Sequence, residues 1–475
     1  MKIAILSSAS AGGAGIAAYR VYEALSRGAG FEVDFFDIDI LGQVDTEVSP
    51  THSASNGKIT NTHFTVDYAT EPRQWLIDFL DQYDVLNIHW ASYLLSLCEI
   101  LRLVQRGKQI LFTLHDFHYI TGGCHYPAGC LGFQASCVGC PQLNDRKCDP
   151  HTVINTLKLK REIFSHENVH LAAPSAFIVD SAIRSGIVPP HRGHVLRNAY
   201  NPPLPFEPRG WGDKRSILLI ADSFNEQRKG LQLAVDALKL AFSSDKAQAY
   251  QLELHLVGGM DHQVISQLND LPVRIITHGH IKQHEKLVNI FKQCQFILTC
   301  SYEDNWPNIL VEAGSYGCLP IVGKWHGCEE FARQFESPYI AESYTPQAFS
   351  VVINEALATL PAVTFQRQGQ IVDAVRRSHA YSRVAEKYIE TMTQDKPLDV
   401  VRAEVCTADN SGLISADRLL ATLPQMAFEE ISAVKKATPF GCQNPAIREL
   451  IINVSYLNKF SRNDKHEYGI VNILV

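Results

Sequence analysis

Three stretches of this chain carry residues suited to an anionic or hydroxyl-rich ligand. Ser10-Ala11-Gly12-Gly13-Ala14-Gly15 lies between an apolar run and a helical pattern. Small residues let backbone approach a ligand closely, and a helix N-terminus offers unpaired N–H groups to an anion. A plain strand-to-helix turn is the alternative, and neither Asp37 nor Asp39 is spaced so as to select NAD. Arg228-Lys229-Gly230 puts two cations at the start of a helix, which suits a diphosphate; alone it could equally be a solvated pair. Residues 300–312 read CSYEDNWPNILVE, from a strand end through a loop into a helix. Glu303 and Asp304 project from the loop, with Asn305 beside them, and Glu312 lies about a turn inside the helix among Ile309, Leu310, Val311, Ala313 and Gly314. A carboxylate in such apolar surroundings is costly unless it is paired or bound to ligand hydroxyls. A sugar or ribose diol would satisfy it.

His89 and His115 each end a strand-like run, a place where an imidazole is more often structural than catalytic. Five of the twelve cysteines, Cys124, Cys130, Cys137, Cys140 and Cys148, crowd one Gly-rich stretch. Thiolates of Cys124, Cys130, Cys137 and Cys140 could close a tetrahedral structural zinc site. The C-x2-C of Cys137 and Cys140 has suitable spacing, whereas the first pair is wider. The alternative is a reduced cluster that stabilises the loop, or one that forms disulfides on isolation. The scattered cysteines read as small buried apolar residues.

The elements that position these residues alternate. Strand patterns at Lys2–Ser7, Glu32–Asp37, Val85–Trp90, Gln109–His115 and His170–Pro174 accompany helical patterns such as Gly15–Ser26. That alternation implies βαβ units and a parallel sheet. Asn198–Asp213 then carries Pro202, Pro203, Pro205 and Pro208, which read as a linker. Beyond it, strands at Ser216–Ala221, Leu252–Val257, Val273–Thr277, Phe296–Cys300 and Pro320–Val322 repeat the theme. Helices are expected at Gly230–Ala241, Gln283–Lys292, Asn308–Tyr316, Pro346–Ala358 and Ser382–Thr393. The expectation is an α/β chain with two Rossmann-like domains facing a cleft: 1–197 with a Cys-rich insertion at about 122–148, a linker at 198–213, and 214–395. Residues 396–475 form an extension of unassigned role, with a helix expected near Ser415–Leu423. Thr407–Gly412 imitates a calcium loop, but Thr407 and Arg418 stand where such a loop needs acidic oxygens, so a turn is the better reading.

Composition agrees with a globular chain: 475 residues, 46% hydrophobic and 20% charged. Forty-three basic against fifty acidic residues give a net charge of −7, which leaves no electrostatic footprint for non-specific nucleic-acid binding. The chain enters a strand pattern at once, without a secretory signal pattern, and no apolar run reaches the ~18 residues that read as a transmembrane helix. A soluble, cytoplasmic protein is expected.

The acidic pair has a wider context. Asp304, seven intervening residues, Glu312, then Ala313-Gly314-x-x-Gly317-x-Leu319-Pro320-Ile321-Val322 resembles the signature of family 4 retaining glycosyltransferases of the GT-B fold. Arg228-Lys229-Gly230 is similar to that family's donor-phosphate motif, although an earlier Arg is missing where Ala221-Asp222-Ser223-Phe224 stand. Asp304 replaces the family's usual Glu, and Glu303 could supply the function one residue out of register. Thr113-Leu114-His115-Asp116, Asn87-Ile88-His89-Trp90 and the segment from Gly122 to Leu143 resemble a Cys-rich exopolysaccharide or capsule-type subgroup. The resemblance covers about residues 1–393.

The resemblance implies a retaining transferase that moves a sugar from a nucleoside-diphosphate sugar to a hydroxyl acceptor, in polysaccharide or glycoconjugate synthesis. Glu312 would take the ribose hydroxyls, Arg228 and Lys229 the diphosphate, and Asp304 or Glu303, next to Asn305, the donor sugar. Gly12 and Gly13 would approach the phosphates from the first domain, and the His115 imidazole would reach the donor sugar and leaving phosphate. No catalytic metal is implied, because cations of the chain take its place. The acceptor would be a sugar or a lipid-linked oligosaccharide, met peripherally at the inner face of a membrane. Tyr93–Arg106 is a candidate contact, although Leu94, Leu97, Leu101 and Val104 also form an ordinary core stripe. A nucleotide-sugar epimerase and an inactive sugar-nucleotide-binding homologue are the alternatives.

Overall fold

The computed structural model describes residues 1–28, 30–42, 46–48, 64–67, 71–143, 148–208, 210–212, 214–223, 227–243, 251–259, 266–269, 271–393, 451–452 and 473–474. β1 (Lys2–Leu6) feeds α1 (Gly12–Ser26), which buries Gly15, Ala17, Ala18, Val21, Ala24 and Leu25. The close crossing needs Gly15, where a Cβ would lie 2.3 Å from the Ala9 carbonyl oxygen. There follow β2 (Glu32–Phe36), α2 (Ile38–Leu41), an antiparallel pair of β3 (Thr46–Val48) and β4 (Thr65–Asp67), and α3 (Gln74–Leu80). β5 (Val85–Ile88), α4 (Leu97–Gln105), β6 (Gln109–Thr113), α5 (Pro150–Ser165), β7 (Val169–Ala173), α6 (Ala176–Arg184) and β8 (Gly193–Val195) complete the first half. Its sheet runs β2-β1-β5-β6-β7-β8, parallel throughout.

The second half comprises β9 (Lys214–Ser223), α7 (Leu231–Phe242), β10 (Gln251–Gly259), β11 (Arg274–Gly279), α8 (His284–Phe291) and β12 (Phe296–Thr299). It continues with α9 (Asn308–Gly314), β13 (Leu319–Gly323), α10 (His326–Gln334), β14 (Ile340–Ala341), α11 (Pro346–Ala358), α12 (Pro361–His379) and α13 (Tyr381–Thr393). The sheet order is β11-β10-β9-β12-β13-β14, again parallel. Helices cover both faces of such sheets, so the central strands are apolar runs without alternation. β1, β5, β7 and β13 show this directly.

Two findings go beyond the sequence reading. The long helix α12 was not expected, and it packs Ile371 and Val375 against Gly314 of α9. α13, expected to close the second domain, instead returns to the first, where Val384, Ala385, Tyr388 and Met392 join Ile3, Ile5, Val21 and Leu25 in one core. Residues 1–395 accordingly form one compact unit. In the segment 396–475 the described residues are the antiparallel pair Ile451–Ile452 and Ile473–Leu474; the expected helix near Ser415–Leu423 and the Thr407–Gly412 turn lie outside them. No single described helix is long and apolar enough to cross a membrane. Of the stripe Leu94, Leu97, Leu101 and Val104 near α4, Leu94, Leu97 and Val104 are buried in the core and Leu101 is partly buried against it.

Topology then points to a place. In a doubly wound sheet, ligands bind beyond the carboxyl ends of the strands where strand order reverses. That point lies between β9 and β12 in the second half and between β1 and β5 in the first. The loops leaving these strands carry Arg228 and Lys229, Glu303 to Asn305, the Gly12-Gly13 turn, and His89.

Candidate functional site

Because β9 and β12 are neighbours, the loops that leave them meet. Gly230, the cap of α7, has φ +67°, and a Cβ there would lie 2.0 Å from the Cys300 carbonyl oxygen. Glycine alone tolerates both the backbone and the contact. The approach delivers Arg228 and Lys229 to the loop after β12. Lys229 Nζ donates to Asp304 Oδ2 at 2.7 Å, and Arg228 Nη1 donates to the same oxygen at 3.3 Å and to the Glu303 carbonyl at 3.0 Å. Burial would raise the Asp304 carboxyl, but Lys229 and Arg228 outweigh it and hold the group below its usual value. Glu303 points the other way, toward the first half, where its Oε2 accepts from the Ala128 N–H at 2.9 Å. Burial dominates here: against the Ala128 N–H and Arg228, it pushes the Glu303 carboxyl up to about 7. A cavity of about 30 Å3 bounded by Leu219, Lys229, Asp304 and Ile309 marks the switch point. Lys229 and Asp304, which bound it, are joined as an ion pair.

The first half supplies the opposite wall. The Tyr126 ring lies on the Arg228 guanidinium, 3.9 Å from ring centre to Cζ, a cation–π contact made by the Cys-rich insertion. Asn305 Nδ2 donates to the Leu114 carbonyl at 3.3 Å, and Ser175 Oγ bonds Asn305 Oδ1. His115, next to Leu114, therefore lies at the seam. Burial pushes its imidazole down to about 4 against the pull of Asp116. Burial would raise Asp116 too, but His125, which bonds it at 2.7 Å, holds it low.

Glu312 stands at a second point of the seam. Its Oε1 accepts from Arg20 Nη2 of α1 at 2.6 Å, and the Arg20 guanidinium lies over the Tyr200 ring at 4.7 Å. Nearby, Asn308 Nδ2 donates to the Gly13 carbonyl at 2.8 Å. Gly12, at φ +73°, and Gly13 open α1 with free space where a side chain would stand. Farther along, Glu330 accepts from the Ala176 and Phe177 N–H groups at the start of α6 and from Arg197.

The structure thus brings Arg228, Lys229, Glu303, Asp304 and Asn305 together and sets them against the segment that bears His115. Glu312 and the Gly12-Gly13 turn meet at their own contact through Arg20 and Asn308. Sequence reasoning missed Arg20, Tyr126 and Glu330. Arg20 had one usable signal, a lone cation in the small and apolar stretch GGAGIAAYRVY.

The zinc expectation fares differently. Cys124, Cys130, Cys137 and Cys140 do line one small cavity, with Phe133 and Pro141. Yet among the described residues no three His, Cys, Asp or Glu side chains are placed to hold a metal ion. Cys124 packs with Phe64, Val66 and Val153, and Cys137, Cys140 and Cys148 pack against that cluster. Burial raises the Cys124 and Cys137 thiols, and the neighbouring cysteines add to the shift. In this arrangement the cysteines are part of the apolar packing of the loop.

Comparisons with known proteins follow this geometry. Residues 206–362 match the family model described as Glycosyl transferases group 1. A putative colanic acid biosynthesis glycosyl transferase, WcaC of Escherichia coli (strain K12), is 25% identical over 255 residues, covering 50% of this chain and 59% of that protein. The chain thus matches about three fifths of the length of that relative. Sucrose-phosphate synthase from Thermosynechococcus elongatus superposes with a TM-score of 0.55 at 20% identity, over 83% of this chain and 98% of that one. Anabaena HepE in complex with UDP gives a TM-score of 0.55 at 13% identity, over 83% and 100%. These likenesses show the fold: two parallel-sheet α/β domains in the GT-B arrangement.

Proposed function

We propose that this chain, whose residues 206–362 match the group 1 glycosyl transferase model, moves a sugar from a nucleoside-diphosphate donor to a hydroxyl acceptor with retention of configuration. One observation carries the reading: two cations and two buried carboxylates converge at the switch point of the second sheet, and Asn305 beside them bonds the segment of the first that bears His115. Cations there meet a diphosphate, and carboxylates meet sugar and ribose hydroxyls. The WcaC likeness supports polysaccharide or glycoconjugate synthesis as the setting, and the UDP named with HepE supports a nucleotide donor.

In this mechanism Arg228 and Lys229 stabilise the charge that grows on the departing phosphate as the sugar becomes oxocarbenium-like. When a diphosphate draws the cations away, Asp304 is released to orient donor hydroxyls, and Glu303 faces the same space from the Ala128 side. Same-face attack lets the leaving phosphate oxygen take the acceptor proton, with no carboxylate nucleophile. Glu312 takes the ribose once Arg20 yields. The acceptor is a sugar or a lipid-linked oligosaccharide, and the protein works in the cytoplasm or peripherally at the inner membrane face.

A panel of nucleotide-sugars, screened first by thermal stabilisation and then with acceptors, tests this. Glu312→Gln should lower transfer at least tenfold, about 1.4 kcal/mol, with the melting transition kept. Donor conversion without any acceptor would mean an epimerase, and binding without transfer or hydrolysis a non-catalytic homologue.

A further inference from the structure

A row of buried polar groups behind His115 has no role in the mechanism so far. We propose that Asn87 and His89 are positioning residues that lock His115 in the tautomer protonated on Nε2, so that its Nδ1 faces the cleft as a bare acceptor for a sugar hydroxyl. Asn87, fully buried on β5, donates from Nδ2 to the Leu111 carbonyl at 2.9 Å and to Thr113 Oγ1 at 2.8 Å. A carbonyl can only accept, so the amide cannot be turned round. Asn87 Oδ1 therefore faces His89 Nε2, 2.9 Å away, and that nitrogen must carry a proton. His89 is 1% exposed, and burial together with the neighbouring His115 keeps it neutral. A neutral imidazole has one N–H, so His89 Nδ1 is a lone pair. It lies 2.9 Å from His115 Nε2, which must be the donor.

His115 is itself neutral, so its remaining nitrogen, Nδ1, is unprotonated. Among the described residues nothing bonds to it, and it is not one of the buried atoms left without a partner. His115 is partly exposed, and the adjoining Leu114 carbonyl accepts from Asn305 of the second half, which places the residue at the seam. A bare Nδ1 accepts from a hydroxyl and repels a phosphate oxygen. The leaving-group charge therefore falls to Arg228 and Lys229, which narrows the expectation that this imidazole serves both donor sugar and phosphate. The hydroxyl's identity rests on the transferase reading; the tautomer does not.

The test reads the tautomer directly. The full chain, labelled with 15N-histidine, is examined at neutral pH by long-range 1H–15N correlation, with His115→Gln assigning the signals. The expected spectrum has a pyrrole-type Nε2 and a pyridine-type Nδ1 for His115. A protonated Nδ1 would overturn the proposal whether or not the protein transfers sugar. His89→Gln, which can still accept from His115, should keep the spectrum and most of the activity. His89→Leu should give mixed tautomers and at least a tenfold fall in transfer, with nucleoside-diphosphate binding unchanged. Identical tautomers and transfer in the Leu and Gln variants would also overturn it. Asn87→Leu, if it folds, should resemble His89→Leu.

Discussion

At the scale of single residues, two adjacent carboxyls show how partners decide chemistry. Asp304 and Glu303 are both buried, yet cations hold Asp304 low while burial pushes Glu303 up to about 7. The unfolded-state value of Glu303 is near 4.5, so between these values the native state binds more protons. Stability should then fall as pH rises from about 4.5 through 7, by about 3 kcal/mol in all for this group. Glu303→Gln removes that slope. Urea unfolding of both proteins at pH 5 and pH 8 measures it, and parallel pH dependences would show that Glu303 ionises freely in the folded protein.

At the scale of elements, geometry is set by a few strict positions. Gly230 joins the loops of β9 and β12, and Gly230→Ala would force a left-handed alanine against Cys300. A cost of at least about 1–2 kcal/mol for the backbone alone is expected, with nucleoside-diphosphate affinity falling because Arg228 and Lys229 shift with the loop. Denaturation and titration calorimetry on the variant check both. α4 offers a contrast away from the site. Its Ser96 cap and Glu99 form a capping box, and Glu99, 1% exposed, also accepts from the Arg73 backbone and guanidinium. Glu99→Ala removes the capping box and leaves the half-buried Arg73 guanidinium without its carboxylate, and should cost about 1–3 kcal/mol. Chemical denaturation measures the loss, while transfer per folded molecule should hold.

At the scale of the whole molecule, ion pairs tie the two sheets together, one of them through Glu312, the group proposed to take the donor's ribose. Arg20 occupies Glu312, and the Glu330 cluster ties α10 to α6 and Arg197. A nucleotide must break the first of these to reach Glu312. Arg20→Met should therefore bind nucleoside diphosphates several-fold more tightly, a gain of about 1 kcal/mol. Titration calorimetry gives the affinity, and small-angle scattering with and without ligand reports whether the domains part. Weaker binding in the variant would make Arg20 a ligand contact and not a latch.

What the sequence determined by itself was the local part. Uninterrupted apolar runs such as Lys2–Leu6 and Phe296–Thr299 marked buried parallel strands, and the proline-rich stretch before Lys214 separated two equivalent halves. The RKG turn and the acidic loop were legible through the spacing of their charged residues around glycine and a following apolar helix. α12 was not: its pattern is interrupted by Gln368, Gly369 and Gln370, and it is helical because Ile371 and Val375 find α9. The return of α13 to the first sheet, the Arg20–Glu312 pair across 292 positions and the Asn87–His89–His115 row were likewise decided only by the tertiary structure. So was the packing of Cys124 against Phe64, Val66 and Val153. Periodicity reports which face of an element is buried, and a residue's protonation and partners depend on which distant element covers that face.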